Sequence, residues 1–309
     1  MKRRWLFLVV LIVGLLGSVA GPAGAFAGLH ARSLSLGGAV TAPAGYSTKD
    51  LAALPQTTFS VTRHRWWGSH TQTDQGVSLE DLVNTAGPTL PPNTKNALLR
   101  VTVTVGNPFG WHVTIALGEL DPGFGNHPAY LALTEAGRPL AVPGLVIPGD
   151  TTAFRTVPLV NRITVAGQNP TPTTPAPPGS LTIVTRGATR VLTAEKLASL
   201  PAHTLQVSFL AGTASQTHTE IGPTLEAVLR AAHVRTDLDT WVAGVGSDSY
   251  VATVTPAEAW IGGRPLLVSL NEDSQPLSQP RLIVDGDVKG GRYVSDMVDL
   301  AVGEGALGP

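Results

Sequence analysis

Three cations stand around one glycine-rich turn near the end of the chain. They are Arg281, Lys289 and Arg292, in the stretch Pro280-Arg-Leu-Ile-Val-Asp-Gly-Asp-Val-Lys-Gly-Gly-Arg-Tyr-Val294. The backbone amides of such a turn, with guanidinium and ammonium groups beside them, can hold an anionic group such as a phosphate. The same side chains also suit a solvated turn with surface ion pairs. A second unusual composition is Arg63-His64-Arg65-Trp66-Trp67 with His70. It fits an adhesive surface for sugars, phosphates or a partner protein, or two tryptophans serving as core. His112, His127 and His203 fall in no H-x-x-x-H or H-x-E pairing, so no metal is assigned to them. Asp285-Gly-Asp287-Val-Lys289-Gly290 with Asp296 imitates a calcium loop, but a lysine at a ligand position and the lack of flanking helical patterns argue against it. Gly244-Val-Gly246 lacks the third glycine of a dinucleotide turn, and there is no G-x-S-x-G elbow. No catalytic residue is assigned.

Composition narrows the chemistry further. The chain has no cysteine, which excludes a disulfide, a thiolate nucleophile, Cys-ligated zinc, an iron–sulfur cluster and thiolate-bound molybdenum. Charged residues are only 14% and the formal net charge is −1, so nucleic acid is not an expected partner. The 309 residues are enough for two domains, and 43% hydrophobic content with 34 Gly and 25 Pro points to folded, turn-rich structure.

The N-terminus reads as an address. Lys2, Arg3 and Arg4 precede an apolar run from Trp5 to Val13, and Ala25-Phe26-Ala27 fits a small-residue cleavage site. Residues 1–27 are therefore expected to be a signal peptide or, because roughly 20 apolar residues span a bilayer, an uncleaved anchor. Arg3-Arg4 also has the look of a twin-arginine signal. Either reading places the protein on the extracellular or periplasmic face of the cell envelope, touching the membrane only through this segment.

The elements that must position the cations occur twice. Leu51-Ala-Ala-Leu54-Pro55 and Leu197-Ala-Ser-Leu200-Pro201 are 146 residues apart, as are Gly76 and Gly222, Leu79 and Leu225, Glu80 and Glu226. Further on the spacing is 137: Pro139 with Pro276, Asp150 with Asp287, Arg155 with Arg292. One net deletion explains the change, in Pro88 to Asn96 or in Leu120 to Pro128. Between the copies lies a Pro-rich spacer, residues 168–180, which favours extended polyproline conformation. The expected domains are 46–167 and 181–304. Within each the pattern predicts a strand (58–62; 204–209) and one short helix capped by Ser78 or Thr224. A strand at 98–105 or 240–245 and a closing strand-turn-strand follow, an α+β fold.

These motifs resemble the molybdopterin-binding domain of the sulfite oxidase family. The second copy carries the resemblance in Gly222-Pro-Thr-Leu225-Glu-Ala-Val-Leu229, Gly246-Ser-Asp248-Ser-Tyr250, Gln275-Pro-Leu277, Pro280-Arg-Leu-Ile-Val-Asp-Gly286 and Gly291-Arg-Tyr-Val294. The first carries it in Gly76-Val-Ser-Leu79-Glu-Asp-Leu-Val83, Gly137-Arg-Pro-Leu140 and Pro143-Gly-Leu-Val-Ile-Pro-Gly149. The resemblance implies a strand-rich fold with peripheral helices and a molybdopterin site. It sets Arg292 and Arg155 at a pterin-phosphate lysine and makes His218, in Thr217-His218-Thr219, part of a polar loop near the cofactor. It also departs from the family where it matters. The metal-ligand cysteine is replaced by Leu210-Ala211-Gly212 in the second copy and by His64 in the first, and Ser295 and Pro158 replace a second basic residue. A site built on a soft sulfur ligand cannot work in the usual way without one.

The reading is an exported cell-envelope protein with two tandem molybdopterin-binding-like domains, acting as a non-catalytic binding or interaction module. Its expected partner is a small anionic ligand or an envelope protein, and its candidate binding residues are Arg281, Lys289, Arg292, Arg155 and His218. No cofactor is expected, although the resemblance leaves molybdopterin open. The alternatives are a molybdopterin-dependent oxidoreductase with oxygen or nitrogen metal ligands, and a subunit whose partner carries the redox centre.

Overall fold

A computed structural model describes residues 33–65, 68–173 and 177–307. The N-terminal address segment and the Trp66-Trp67 pair lie outside the described residues, as do the side chains of Arg63, His64 and Arg65. Among the described residues no helix is long and apolar enough to cross a membrane.

The first half comprises β1 (Leu34–Gly38), β2 (Ala44–Tyr46), α1 (Thr48–Ala52), β3 (Thr57–Arg65), β4 (Gly68–Ser78), α2 (Leu79–Ala86), β5 (Val101–Gly106), β6 (His112–Ala116), α3 (Leu117–Leu120), β7 (Tyr130–Glu135), β8 (Arg138–Val146) and β9 (Arg162–Gly167). The second comprises β10 (Leu181–Val184), β11 (Thr189–Leu192), α4 (Ala194–Ala198), β12 (Ala202–Ala211), β13 (Ala214–Pro223), α5 (Leu225–Ala231), β14 (Thr240–Gly246), β15 (Val251–Val254), α6 (Pro256–Trp260), β16 (Leu266–Glu272), β17 (Gln275–Val284) and β18 (Met297–Glu304). Sheet order repeats: β2-β1-β9-β5-β6 and β3-β4-β7-β8 in the first half, β11-β10-β18-β14-β15 and β12-β13-β16-β17 in the second. Only β1 with β9 and β10 with β18 pair in parallel among these strands. This is a strand-rich α+β fold built of two similar halves.

Register locates the deletions. Val103 pairs with Ile115 and Val165, whereas Val242 pairs with Val254 and Val302. The spacing is thus 139 at 103/242 and 137 at 165/302, after 146 at Glu80/Glu226. Both suspected loops are shorter in the second half, by seven residues before the central strand and two after it; a single deletion does not suffice. The structure also has three short helices per half where one was expected, because α1, α3, α4 and α6, at four or five residues each, are too brief to show a helical period. Residues 98–100, expected within a strand, belong to a single 3-10 turn over Ala97–Arg100, and Gly290–Arg292 forms another, so that the last strand starts at Met297.

Local chemistry explains the shared elements. The Ser78 and Thr224 hydroxyls accept from the amides of Asp81 and Ala227, capping α2 and α5 as the sequence predicts. Gly76 and Gly222 sit where strands press together: a Cβ there would lie 2.3 Å from the Leu131 carbonyl oxygen and 2.1 Å from that of Val268. Each half has its own apolar core. The cores also interlock, since Leu99 is buried in the second with Phe124 packed against that core, and Leu238, the counterpart of Leu99, packs against the first. The spacer is pinned to the second half, with the Thr173 amide donating to Asp299 at 2.7 Å and the Gly179 amide to Gln279 at 3.2 Å.

Candidate functional site

Short helices α3 and α6 each carry a glutamate inward, Glu119 and Glu258, and each meets the arginine that follows the closing turn of its own half. Arg155 donates to Glu119 at 2.8 Å and, through Nε, to Asp150 at 2.9 Å. Arg292 donates to both oxygens of Glu258, at 2.8 and 2.7 Å, and through Nε to Asp287 at 2.9 Å. His127 adds its Nδ1 to Glu119 at 3.0 Å, and its counterpart Arg264 adds Nη2 to Asp287 at 2.8 Å. Both arginines and both glutamates have no exposed surface. Burial acts to raise the Glu119 carboxyl, but Arg155 and His127 outweigh it and hold it at about 2. Burial instead pushes Asp150, Glu258 and Asp287 up, against the arginines beside them.

This ionic layer lies where the halves meet. A Cβ on Gly118 would come within 2.9 Å of the Arg292 side chain, and one on Gly262 within 2.9 Å of Arg155 Nη2. The Arg264 guanidinium also donates to the Gly125 carbonyl, and Thr151 Oγ1 to that of Ile261 at 2.7 Å. Arg155 and Arg292, expected to hold an anionic cofactor, are therefore consumed internally: enclosed carboxylates take their donors and no face of either is open to a ligand.

Of the other expected binding residues, Arg281 and His218 come together. Arg281 on β17 donates to Glu272 and, at 3.3 Å, to the buried Glu220. His218 Nδ1 lies 2.8 Å from Asp273 and 3.8 Å from Glu272. Both side chains brace strand ends instead of facing a cavity. The aromatic ring of Phe209, 6.0 Å from that of His218 and edge-on to Tyr293 at 4.7 Å, separates this pair from Lys289.

Lys289 alone of the five reaches an open site. A cleft of about 590 Å³ is lined by Phe209 to Gly212 at the β12 end, by Asp248 and Tyr250 after β14, and by Lys289 to Gly291, Tyr293 and Asp296 around the closing turn. The first half closes it with Lys95, Asn96 and Phe124. Neighbouring backbone fixes its floor: the Leu210 amide donates to Val288 at 2.9 Å, and the Val288 amide to Phe124 at 2.7 Å. Asn96 donates to the Tyr250 hydroxyl at 3.0 Å, and that hydroxyl donates to the Gly291 carbonyl. Gly291 allows this closeness, because a Cβ there would fall 2.2 Å from the Phe124 ring. Lys95 and Lys289 make no ion pair among the described residues. Asp248 is spent on its own turn, accepting from the Tyr250 amide at 2.9 Å.

Lys95, Asn96 and Phe124 were missed in the sequence. They belong to the two loops that are longer in the first half, and that length difference was the signal available. Glu119 and Glu258 were missed as well, although each is a lone carboxylate in an otherwise apolar string, Leu117-Gly-Glu-Leu120 and Pro256-Ala-Glu-Ala-Trp260.

The cleft does not fit the molybdopterin implied by the family resemblance. Leu210 and Ala211 offer hydrocarbon where the metal ligand is needed, and the arginines that would meet the pterin phosphate are sealed with carboxylates. Among the described residues no three His, Asp or Glu side chains gather to hold a metal.

No family model and no curated relative matches the chain in sequence. Among solved structures it is similar to the sulfane dehydrogenase SoxCD from Paracoccus pantotrophus, at 14% identity over 91% of this chain and 79% of that one, with a TM-score of 0.35. A likeness at that score carries no argument about activity.

Proposed function

We propose that the protein is an exported, non-catalytic binding module of the cell envelope, and that the cleft between its halves takes a small anionic ligand with a flat apolar part. One observation carries this: two lysines without ion-pair partners among the described residues, Lys95 from the first half and Lys289 from the second, line a single cleft with Phe124, Phe209, Tyr250 and Tyr293. At about 590 Å³ its size lies within the range of small-molecule pockets, roughly 300 to 1,000 Å³. The lysines meet the anion, the rings cover the flat part, and Asp296 offers a carboxylate to a donor elsewhere on the ligand. Support for export comes from the Lys2-Arg3-Arg4 and Trp5-to-Val13 pattern.

The test is equilibrium binding of 4-hydroxybenzoate and of inorganic pyrophosphate to the full chain, at low and at physiological salt. Saturable binding is expected with 4-hydroxybenzoate and not with pyrophosphate, which has no flat apolar part; the reverse preference would remove the aromatic half of the reading. Lys95→Ala and Lys289→Ala should each weaken it about tenfold, corresponding to about 1.4 kcal/mol. Affinity unchanged in the double variant would remove the cleft as the binding site.

A further inference from the structure

The positions that line the cleft in the second half carry very different residues in the first. Asp248, Tyr250, Gly291 and Asp296 correspond in register to Phe109, Trp111, Phe154 and Leu159. These four are exposed by 76, 46, 59 and 44%, and they are four of the six large hydrophobic side chains exposed among the described residues. The fold does not demand them, since its other copy uses aspartate, tyrosine and glycine at the same places. Large apolar side chains clustered at the surface mark an interaction site.

The patch is held ready. Asn107, only 6% exposed, accepts from the amides of Phe109 and Trp111 through one oxygen, at 3.0 and 3.1 Å, and donates to the Pro158 carbonyl at 3.1 Å. A single side chain thus ties the loop bearing Phe109 and Trp111 to the loop bearing Leu159. Leu159 itself takes a left-handed backbone conformation, φ 57°, which branched and bulky residues adopt at a cost.

The chain's entry point bears on what covers the patch. Residues 1–32 lie outside the described residues, and the described chain begins beside the patch: the Ser35 amide donates to the Asn161 carbonyl at 3.0 Å, and Ser35 pairs with Arg162. In sequence the apolar run Trp5 to Val13 precedes this entry point, and Ser35 meets the partner strand at Asn161, two residues from Leu159. Tryptophan and phenylalanine are the side chains that settle at a membrane–water boundary, and Asn107-Pro108-Phe109-Gly110-Trp111 contains no charge to oppose burial there.

We infer that Phe109, Trp111, Phe154 and Leu159 form a membrane-docking face, which rests against the lipid headgroup boundary while the N-terminal segment holds the chain at the bilayer. This rests on the envelope reading above. Docking by this face leaves the second-half cleft as a separate site for ligand.

The native chain has no cysteine, so single labels can be introduced cleanly. Phe109→Cys and Phe154→Cys, with Val191→Cys as an exposed control in the second half, are labelled with bimane in the full chain and reconstituted with phosphatidylcholine–phosphatidylglycerol vesicles. Nitroxide lipids labelled near the headgroup should quench the dye at 109 and 154 at least twofold more than at 191, and aqueous iodide should reach it less. Equal quenching at the three sites overturns the docking face. Flotation with the vesicles reads the anchor separately: a chain that floats with unquenched dyes keeps its anchor and loses the face, and one that neither floats nor quenches loses both. Dyes shielded before vesicles are added, with a doubled mass in solution, would assign the face to a second copy and overturn lipid docking.

Discussion

The end of the β14–β15 pair and the end of the β5–β6 pair are the same backbone put to opposite uses. In the second half the loop after β14 turns Asp248 and Tyr250 toward the closing turn, where Gly291 lets the Phe124 ring come close and a cleft results. In the first half the same positions carry Phe109, Trp111 and Phe154, which leave the turn and stand in solvent. The ionic layer beneath diverges far less: Glu119, Asp150 and Arg155 repeat as Glu258, Asp287 and Arg292 with the same pairings, and only His127 is exchanged, for Arg264. Duplication has kept the charges that join the halves and released the rim that meets the outside. A buried charge can be changed only together with its partners, whereas a surface side chain varies at little cost.

Breaking the shared layer should have the largest effect. Arg155→Met and Arg292→Met each leave two enclosed carboxylates short of a cation, and each is expected to cost about 3–5 kcal/mol in urea unfolding. Because the layer and the interlocked Leu99 and Leu238 link the cores, unfolding should stay a single transition in the wild type. Two separate transitions would show that the halves are independent. A smaller effect sharpens the contrast at the rim. Gly291→Ala drives a methyl into Phe124 and should destabilise by about 1–3 kcal/mol. Phe154→Ala, at the corresponding exposed place, should stay within about 0.5 kcal/mol. Equal costs would mean that the two rims are packed alike.

The smallest effect concerns the capped helices. Glu226 on α5 pairs with Arg230, while its counterpart Glu80 on α2 has Asn84 at that place, and burial with the charge of Asp121 pushes the Glu80 carboxyl up to about 7. A folded-state value above the unfolded one means that stability present below about pH 4.5 is lost as pH rises through about 7. Glu80→Gln should flatten that decline, with thermal melts at pH 5 and pH 8 as the measure. Water at this half-exposed site limits the gain to below about 1 kcal/mol. Glu226→Gln should not reproduce it.

Much of the architecture was legible before any coordinates. The duplication was written in matched residues, one of the three helices of each half was announced by Ser78 or Thr224, and the alternation Leu99, Val101, Val103, Val105 marked the central strand, though Leu99 falls in the 3-10 turn before it. Less of the site could be read. Arg281, Lys289 and Arg292 look alike along the chain, yet one braces a strand against Glu220 and Glu272, one lines an open cleft, and one is sealed between Glu258 and Asp287. Proximity in sequence says that charges share a turn, not which face of the turn meets a carboxylate.

By itself the sequence determined that the fold is used twice, and that no thiolate chemistry is available to it, because a repeated pattern and a missing residue type are properties of the chain alone. Only the tertiary structure decided that the paired arginines serve the joint between halves and that a cleft is completed across that joint. The partners of Arg155 lie 5 and 36 residues away, and the cleft joins Lys95 to Lys289. Such contacts follow from how strands and loops pack in space, which the order of residues does not display.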